Sequence, residues 1–432
     1  MRKIILLAAI AFFVNVCWGQ KTNANDSIKE LNTTNKQQPG LALAASKIFF
    51  SDKRYSISGF GEFNFVPTQG EIDTTVGDLE LYYSGLYRFA TFFGYRISDK
   101  FIWNSEIQFE YIHYQNKESH LEFVFEAFVD YLYKDYLKAR VGFYPLTIGY
   151  VNNNDEPVMF YSVNRSDVER LIVPSTWIEF GAMFYGNISQ NWSYALGFSQ
   201  GLNSQYFLSP TWIRQGREIR FDTPKSISIN PQINYTGVSN LVVSLSGYYG
   251  NSGQGADVKI GNQEQEVKAK INLTTAYAKY DWKNFRFIGL GTYGHLAETD
   301  KIYEQTKNEA GVGQVLGKSV YGYLFELGCD ILPYIRYKKP KSNKKNAIFN
   351  SEEMKLSLFS RFERLDTHYR IDENLQNLPF SQNNLKVWTF GVNYNTAENI
   401  VLKADYQHRL NTPIGHEGII NHTIEFGLGF IF

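Results

Sequence analysis

From Tyr55 to the C-terminus, apolar and polar residues alternate with a period of two. This is the pattern of β-strands whose two faces meet different surroundings. The last stretch shows it plainly: Ile424, Phe426, Leu428, Phe430 and Phe432 share one face, and Thr423, Glu425, Gly427, Gly429 and Ile431 share the other. Phe123, Phe125, Ala127, Val129 and Tyr131 likewise oppose Glu122, Glu126 and Asp130. Leu402, Ala404, Tyr406 and His408 oppose Lys403, Asp405, Gln407 and Arg409. Ala269, Ile271, Leu273, Thr275 and Tyr277 oppose Lys268, Lys270, Asn272 and Thr274, and the first set of each group is expected to face lipid. Charges recurring on the second face require water there, as in the lumen of a membrane barrel.

About sixteen such segments follow one another, near 55–66, 80–97, 101–114, 122–133, 136–144, 177–188, 192–201, 225–236, 240–250, 268–281, 284–296, 319–334, 353–365, 385–395, 399–409 and 420–432. Short turns such as Ser98-Asp99-Lys100, Lys134-Asp135, Ser189-Gln190-Asn191 and Trp282-Lys283 alternate with longer connections near 67–79, 145–176, 202–224, 251–267, 297–318, 366–384 and 410–419. Outer-membrane barrels have this asymmetry of tight periplasmic turns and extended outer loops, whereas a soluble β-sandwich has no reason for it. The expected fold is all-β, a transmembrane antiparallel barrel of about 16 strands over residues 53–432. The lysine-rich segment 335–352 breaks the alternation and falls on the periplasmic side. Tyr82, Tyr83, Trp103, Trp177, Trp192, Tyr248, Tyr249, Trp282 and Trp388 lie near strand ends, where interfacial girdles are expected.

The one sustained apolar run, Ile4–Val14, is too short to span a bilayer as a helix. With Arg2 and Lys3 before it and Cys17-Trp18-Gly19 after it, it reads as a signal peptide over 1–19. Residues 20–52 are polar and lack strand periodicity, so a flexible periplasmic segment is expected, with a short helix near Leu41–Phe50. Removal of residues 1–19 leaves Cys329 as the single cysteine, which excludes an intramolecular disulfide. It also leaves 41 basic against 43 acidic residues, a balance that argues against a nucleic-acid partner. The 30 Tyr and 33 Phe are many for a soluble enzyme and suit a lipid-facing sheet.

Gly142-Phe143-Tyr144-Pro145-Leu146, Asn154-Asp155-Glu156-Pro157, Arg165, Arg170 and Val173-Pro174-Ser175-Thr176-Trp177-Ile178-Glu179-Phe180-Gly181 form the most distinctive run. It resembles the central segment of the phosphate-selective porin O and P family in its Bacteroidota form. The pattern of Leu86–Phe125 and the terminal Phe432 are similar to that family too. The resemblance implies a 16-stranded barrel, commonly trimeric, whose third outer loop folds inward to narrow the pore; residues 145–176 match that loop by position. Anion-selective members line the pore with many arginines, and no such ladder runs along successive inner faces here.

The expected function is passive diffusion of small hydrophilic solutes, including anions such as phosphate, through an outer-membrane porin that needs no cofactor. The partners implied are outer-membrane lipid, the solutes and two further copies of the chain. The alternatives are a binding or assembly barrel without an open pore, a barrel enzyme, and a carrier of hydrophobic solutes marked by an apolar lumen or an N-terminal plug. Asp155, Glu156, Arg165, Glu169 and Arg170 are the constriction candidates, because opposed charges on an inward loop set up a transverse field. The same charges could instead pair and pin the loop. Arg96, Lys138, Arg140, Glu179, Arg361, Lys403 and Arg409 are candidates for the lumen wall, and Arg214, Arg217 and Arg220 for an outer vestibule. Gly197-Phe198-Ser199-Gln200-Gly201 matches a nucleophile elbow in letters but ends a membrane strand instead of turning into a helix.

Overall fold

The computed structural model describes residues 37–68, 83–113, 119–217, 225–335 and 353–432. The expected signal peptide over 1–19, residues 20–36, Tyr82, Arg220 and nearly all of the lysine-rich segment lie outside the described residues. The first half of the chain contributes β1 (Tyr55–Thr68), β2 (Gly85–Arg96), β3 (Phe101–His113), β4 (His120–Lys134), β5 (Leu137–Pro145), β6 (Ile178–Asn187), β7 (Trp192–Gln200), β8 (Ile227–Tyr235) and β9 (Leu241–Asn251). A small outer hairpin, β10 (Asp257–Ile260) and β11 (Gln263–Glu266), precedes β12 (Lys270–Trp282) and β13 (Phe285–Leu296). The remainder is β14 (Ser319–Asp330), β15 (Lys355–Arg370), β16 (Asn384–Ala397), β17 (Ile400–Asn411) and β18 (Ile419–Ile431).

All but the β10–β11 hairpin close into one antiparallel barrel of sixteen strands, in which β9 pairs with β12 and β1 pairs back to β18. The closing register sets Phe60 opposite Ile431 and Phe65 opposite Phe426. A closed ladder leaves no sheet edge, as a membrane-spanning sheet requires. Each expected segment corresponds to a strand, with ends shifted by a few residues.

The alternation sorts the side chains as the barrel demands. Phe123 is 70% exposed and Ile107 62%, both on the outer surface, while Glu126, Asp130, Lys403 and Asp405 are buried inside. Trp103, Trp192, Tyr249, Trp282 and Trp388 are exposed near strand ends and form the girdles. Among the described residues no helix is long and apolar enough to cross a membrane. The chain is an outer-membrane β-barrel.

Three expectations need correction. In β12 the polar set Lys270, Asn272 and Thr274 faces outward, and Ile271 and Leu273 are buried inside. This end of the strand rises into the outer loops, where its outer surface meets water and its inner surface packs on loop residues. Tyr83, Trp177 and Tyr248 are interior, not girdle, residues; Trp177 and Tyr248 pack at 4.5 Å between ring centroids. Residues 41–50 do not float in the periplasm. They form the expected helix, α1 (Leu43–Phe50), but Leu41, Ala44, Ala45 and Ile48 are buried against β1, β2 and β3 inside the barrel. Gly94 allows this approach, since a Cβ there would lie 2.5 Å from Ile48 Cβ.

Candidate functional site

The third outer loop (146–177) leaves β5, crosses the lumen, and returns to β6. Its tip meets the opposite wall through backbone groups set against charges. Lys403 Nζ donates to the carbonyls of Phe160 and Ser162, both at 2.9 Å, and Val163 N donates to Asp405 Oδ2 at 2.7 Å. Asn393 Nδ2 donates to Tyr161 O at 2.9 Å, and Arg361 Nη1 to Ser162 Oγ at 2.5 Å. Gly429 makes room for the loop: a Cβ there would lie 2.4 Å from Pro157 Cβ.

The loop carries one short helix, α2 (Asp167–Leu171). Ser166 is its N-cap, accepting from Glu169 N at 3.2 Å, which is half of a capping box. Glu169 Oε1 accepts from Tyr150 N at 2.6 Å and Val151 N at 2.8 Å, tying the two limbs of the loop together, while Oε2 accepts from Ser166 Oγ at 3.5 Å. Burial pushes Glu169 up to about 7, against the opposing pull of those two N–H groups.

Glu156 caps a different element. Its two oxygens accept from Leu43 N at 2.9 Å and Ala44 N at 2.6 Å, the first N–H groups of α1, whose own N-cap residue is alanine. At the other end of α1, Arg96 donates to Ile48 O at 2.9 Å and Ser51 O at 3.1 Å. A carboxylate at the helix start and a cation at its end both complement the helix dipole. Ser58 Oγ and Asn104 Nδ2 donate to Ala44 O and Ala45 O, each at 2.7 Å. Burial pushes Glu156 up to about 7, and neighbouring Asp155 adds to the rise.

The other constriction candidates form an ion-pair cluster. Asp155 Oδ2 lies 3.4 Å from Arg88 and 3.5 Å from Arg165, and Arg88 Nε lies 3.1 Å from Glu62. Arg165 also donates to Thr176 Oγ1 at 2.5 Å. Arg170 sits 3.8 Å from Asp167, and Asp167 accepts from Arg409 at 2.5 Å. The five loop charges are therefore all engaged inside the barrel, each bonded to the loop, to α1 or to the wall. Arg88 and Glu62 were missed in the sequence, although Arg88 falls in phase with inward Ala90 and Phe92 on β2.

The wall candidates divide. Arg140 is fully buried with Asp130 at 3.2 Å, and Arg361 is held between Glu363 at 2.8 Å and Glu326 at 3.6 Å. Lys403 and Arg409 hold the loop tip, Glu179 accepts from Trp177 Nε1 at 3.0 Å, and Lys138 lies near the turn-bearing rim, 3.7 Å from Asp135. Arg214 and Arg217 do not line an open vestibule. They donate to backbone carbonyls of the third loop, Arg214 to Arg170 O at 3.0 Å and Arg217 to Ser175 O at 2.8 Å and Thr176 O at 2.9 Å. The fourth outer loop thus braces the third from above. Two cavities flank the third loop. One is lined by Glu106, Gln108, Glu126 and Asp155 together with Ala45, Phe92 and Val124 beside α1, and the other by Arg165, Glu169, Glu326 and Arg361 together with Phe160, Ile288 and Leu324; each encloses about 20 Å³.

No protein-family model matches the chain. An uncharacterized protein of Aquifex aeolicus (strain VF5) is 24% identical over 378 residues, covering 86% of this chain and 79% of that one. Among solved structures, the outer membrane channel DcaP of Acinetobacter baumannii superposes with a TM-score of 0.53 at 10% identity, covering 88% of this chain and 97% of the other. Salmonella typhi OmpF, solved with daunomycin, gives 0.50 at 8% identity, with 88% and 97% covered. The likeness at such identities is one of fold, and it is shared with outer-membrane channels.

Proposed function

We propose that the chain is a porin through which small hydrophilic solutes diffuse passively, narrowed by the third outer loop. The observation that carries this reading is the charged layer of the inward loop, where Asp155, Arg88 and Arg165 form one group and Asp167, Arg170 and Arg409 another inside a closed barrel, beside two small cavities of mixed lining. Opposed charges across a narrow, water-filled passage orient dipolar solutes and select weakly by sign. The arginines of this layer are engaged by carboxylates, hydroxyls or carbonyls, which argues for mild selectivity rather than a strong phosphate preference.

A second reading is favoured by α1. A segment occupying the lumen suits a channel that is closed until the segment leaves. The wall around it presents Glu106, Gln108 and Glu126, so the path it would uncover is hydrophilic, not one for hydrophobic solutes.

The test is the reversal potential of the purified barrel in a planar bilayer under a KCl gradient, repeated with added phosphate. Stable conductance with a small reversal potential and weak phosphate block supports the mild-selectivity porin. Strong phosphate block would restore the phosphate-selective reading and direct mutation to Arg165 and Arg170. Absence of conductance both from the folded barrel and from a variant lacking residues 20–51 would sink the porin reading.

A further inference from the structure

The outer surface of β15–β18 carries charges that solute diffusion does not use. Near the loop-bearing ends of these strands, Arg364 and Lys386 stand directly opposite each other, as do His408 and His422. Trp388 sits between the two pairs, opposite both Phe362 and His408. Like charges facing each other across a sheet are destabilising, and cations are disfavoured on the lipid side of a barrel except near the headgroups.

Among the described residues no carboxylate pairs with either cation. Arg364 donates through Nη1 to Leu365 O at 2.7 Å and Leu385 O at 3.1 Å and lies 5.7 Å from the Tyr321 ring, which leaves Nε and Nη2 available. Lys386 is exposed and has no ion pair or hydrogen bond among the described residues. Asp366, two residues from Arg364, is buried and its Oδ1 already accepts from His368 N and Gln382 Nε2, each at 2.8 Å. Below the cations, exposed Tyr323, Trp388, Phe390 and Tyr406 form the outer aromatic girdle. The pair therefore stands one step above the girdle, at headgroup depth.

We propose that Arg364 and Lys386, with His408 and His422 beside them, bind the phosphate of a lipid headgroup in the outer leaflet. A phosphate between the two cations replaces their repulsion by two charge-assisted contacts, and the guanidinium's free edge suits a phosphate oxygen. The girdle rings below lie where an acyl chain runs. This inference concerns the lipid-facing surface and stands whether or not the lumen conducts.

The experiment is native mass spectrometry of the detergent-purified full chain with phosphatidic acid, with diacylglycerol as its phosphate-free counterpart, and with inorganic phosphate as competitor. The wild type is expected to retain phosphatidic acid about tenfold more strongly than Arg364→Gln/Lys386→Gln, with diacylglycerol binding both alike. Because both side chains are on the outer surface, the variant should keep its folded electrophoretic mobility. A second variant, His408→Gln/His422→Gln, is expected to weaken binding less. Equal retention by wild type and the Arg364/Lys386 variant, or full displacement of the lipid by millimolar inorganic phosphate, would overturn the proposal.

Discussion

The wall formed by β1–β3 and the wall formed by β14–β18 are built alike, with polar and charged side chains alternating inward, yet they are covered in different ways. α1 covers the first with apolar side chains, Leu41, Ala44, Ala45 and Ile48, and the wall answers its backbone carbonyls from Ser58, Asn104 and Arg96. The third loop covers the second with its own backbone groups, matched to Lys403, Asp405 and Glu363, and with the Ser162 hydroxyl, matched to Arg361. The loop is held at both ends by β5 and β6, whereas among the described residues α1 is joined to the wall through β1 alone. A cover fixed at both ends can only narrow the lumen; a cover tethered at one end can leave it. The comparison assigns constriction to the loop and closure to α1, and each half can be tested separately.

The largest effect is expected at the second wall. Arg361→Ala leaves Glu326 and Glu363 buried without their cation, and such a loss costs about 3–5 kcal/mol. Denaturant unfolding followed by the folded electrophoretic form should show it; a change below about 1 kcal/mol would mean that water already screens the site. At the first wall, deletion of residues 20–51 is expected to leave the barrel folded and to raise single-channel conductance several-fold over the intact chain. Unchanged conductance would place α1 outside the conduction path.

The junction of the two covers is Glu156, and it makes the comparison depend on pH. Burial raises its pKa to about 7 when α1 is docked, against 4.5 for the ordinary carboxyl. The docked state thus holds the proton more tightly, so docking is strongest below pH ~4.5 and weakens as the pH rises to ~7. Thiol labelling of Ala45→Cys in a Cys329→Ser background, divided at each pH by the rate for the unfolded chain to remove the thiol's own pH dependence, should therefore accelerate at least about tenfold from pH 5 to pH 8. Glu156→Gln should flatten that profile; a profile that persists in the variant would assign the titration elsewhere. The smallest effect belongs to the brace from above. Arg217→Ala removes the two hydrogen bonds to the third loop and the one to Arg214 O, and should cost about 1–3 kcal/mol in unfolding, with a modest increase in current noise from the freed loop. Noise equal to that of the wild type would show that the fourth loop does not restrain the third.

The strands were legible in the chain because a period of two needs only neighbouring residues, and a membrane barrel repeats it at every segment. The alternation of short and long connections likewise placed the third loop near 145–176, and the loss of the two-residue period before Tyr55 left room for the short helix near 41–50. The face of β12 was not legible, since its period is the same whether lipid or loop residues cover it, and only its height above the membrane decides. Nor could the sequence tell that Glu156 would cap α1, 112 residues away, or that Arg96 would close the other end of the same helix. Trp177 and Tyr248 look like girdle residues by position, and only the inward course of the loop buries them. The sequence by itself determined the sixteen strands, the wet interior and the charged residue types, because these follow from local alternation. The tertiary structure alone decided which charges meet, since pairing across the lumen depends on how far the loop and α1 reach inside the closed wall.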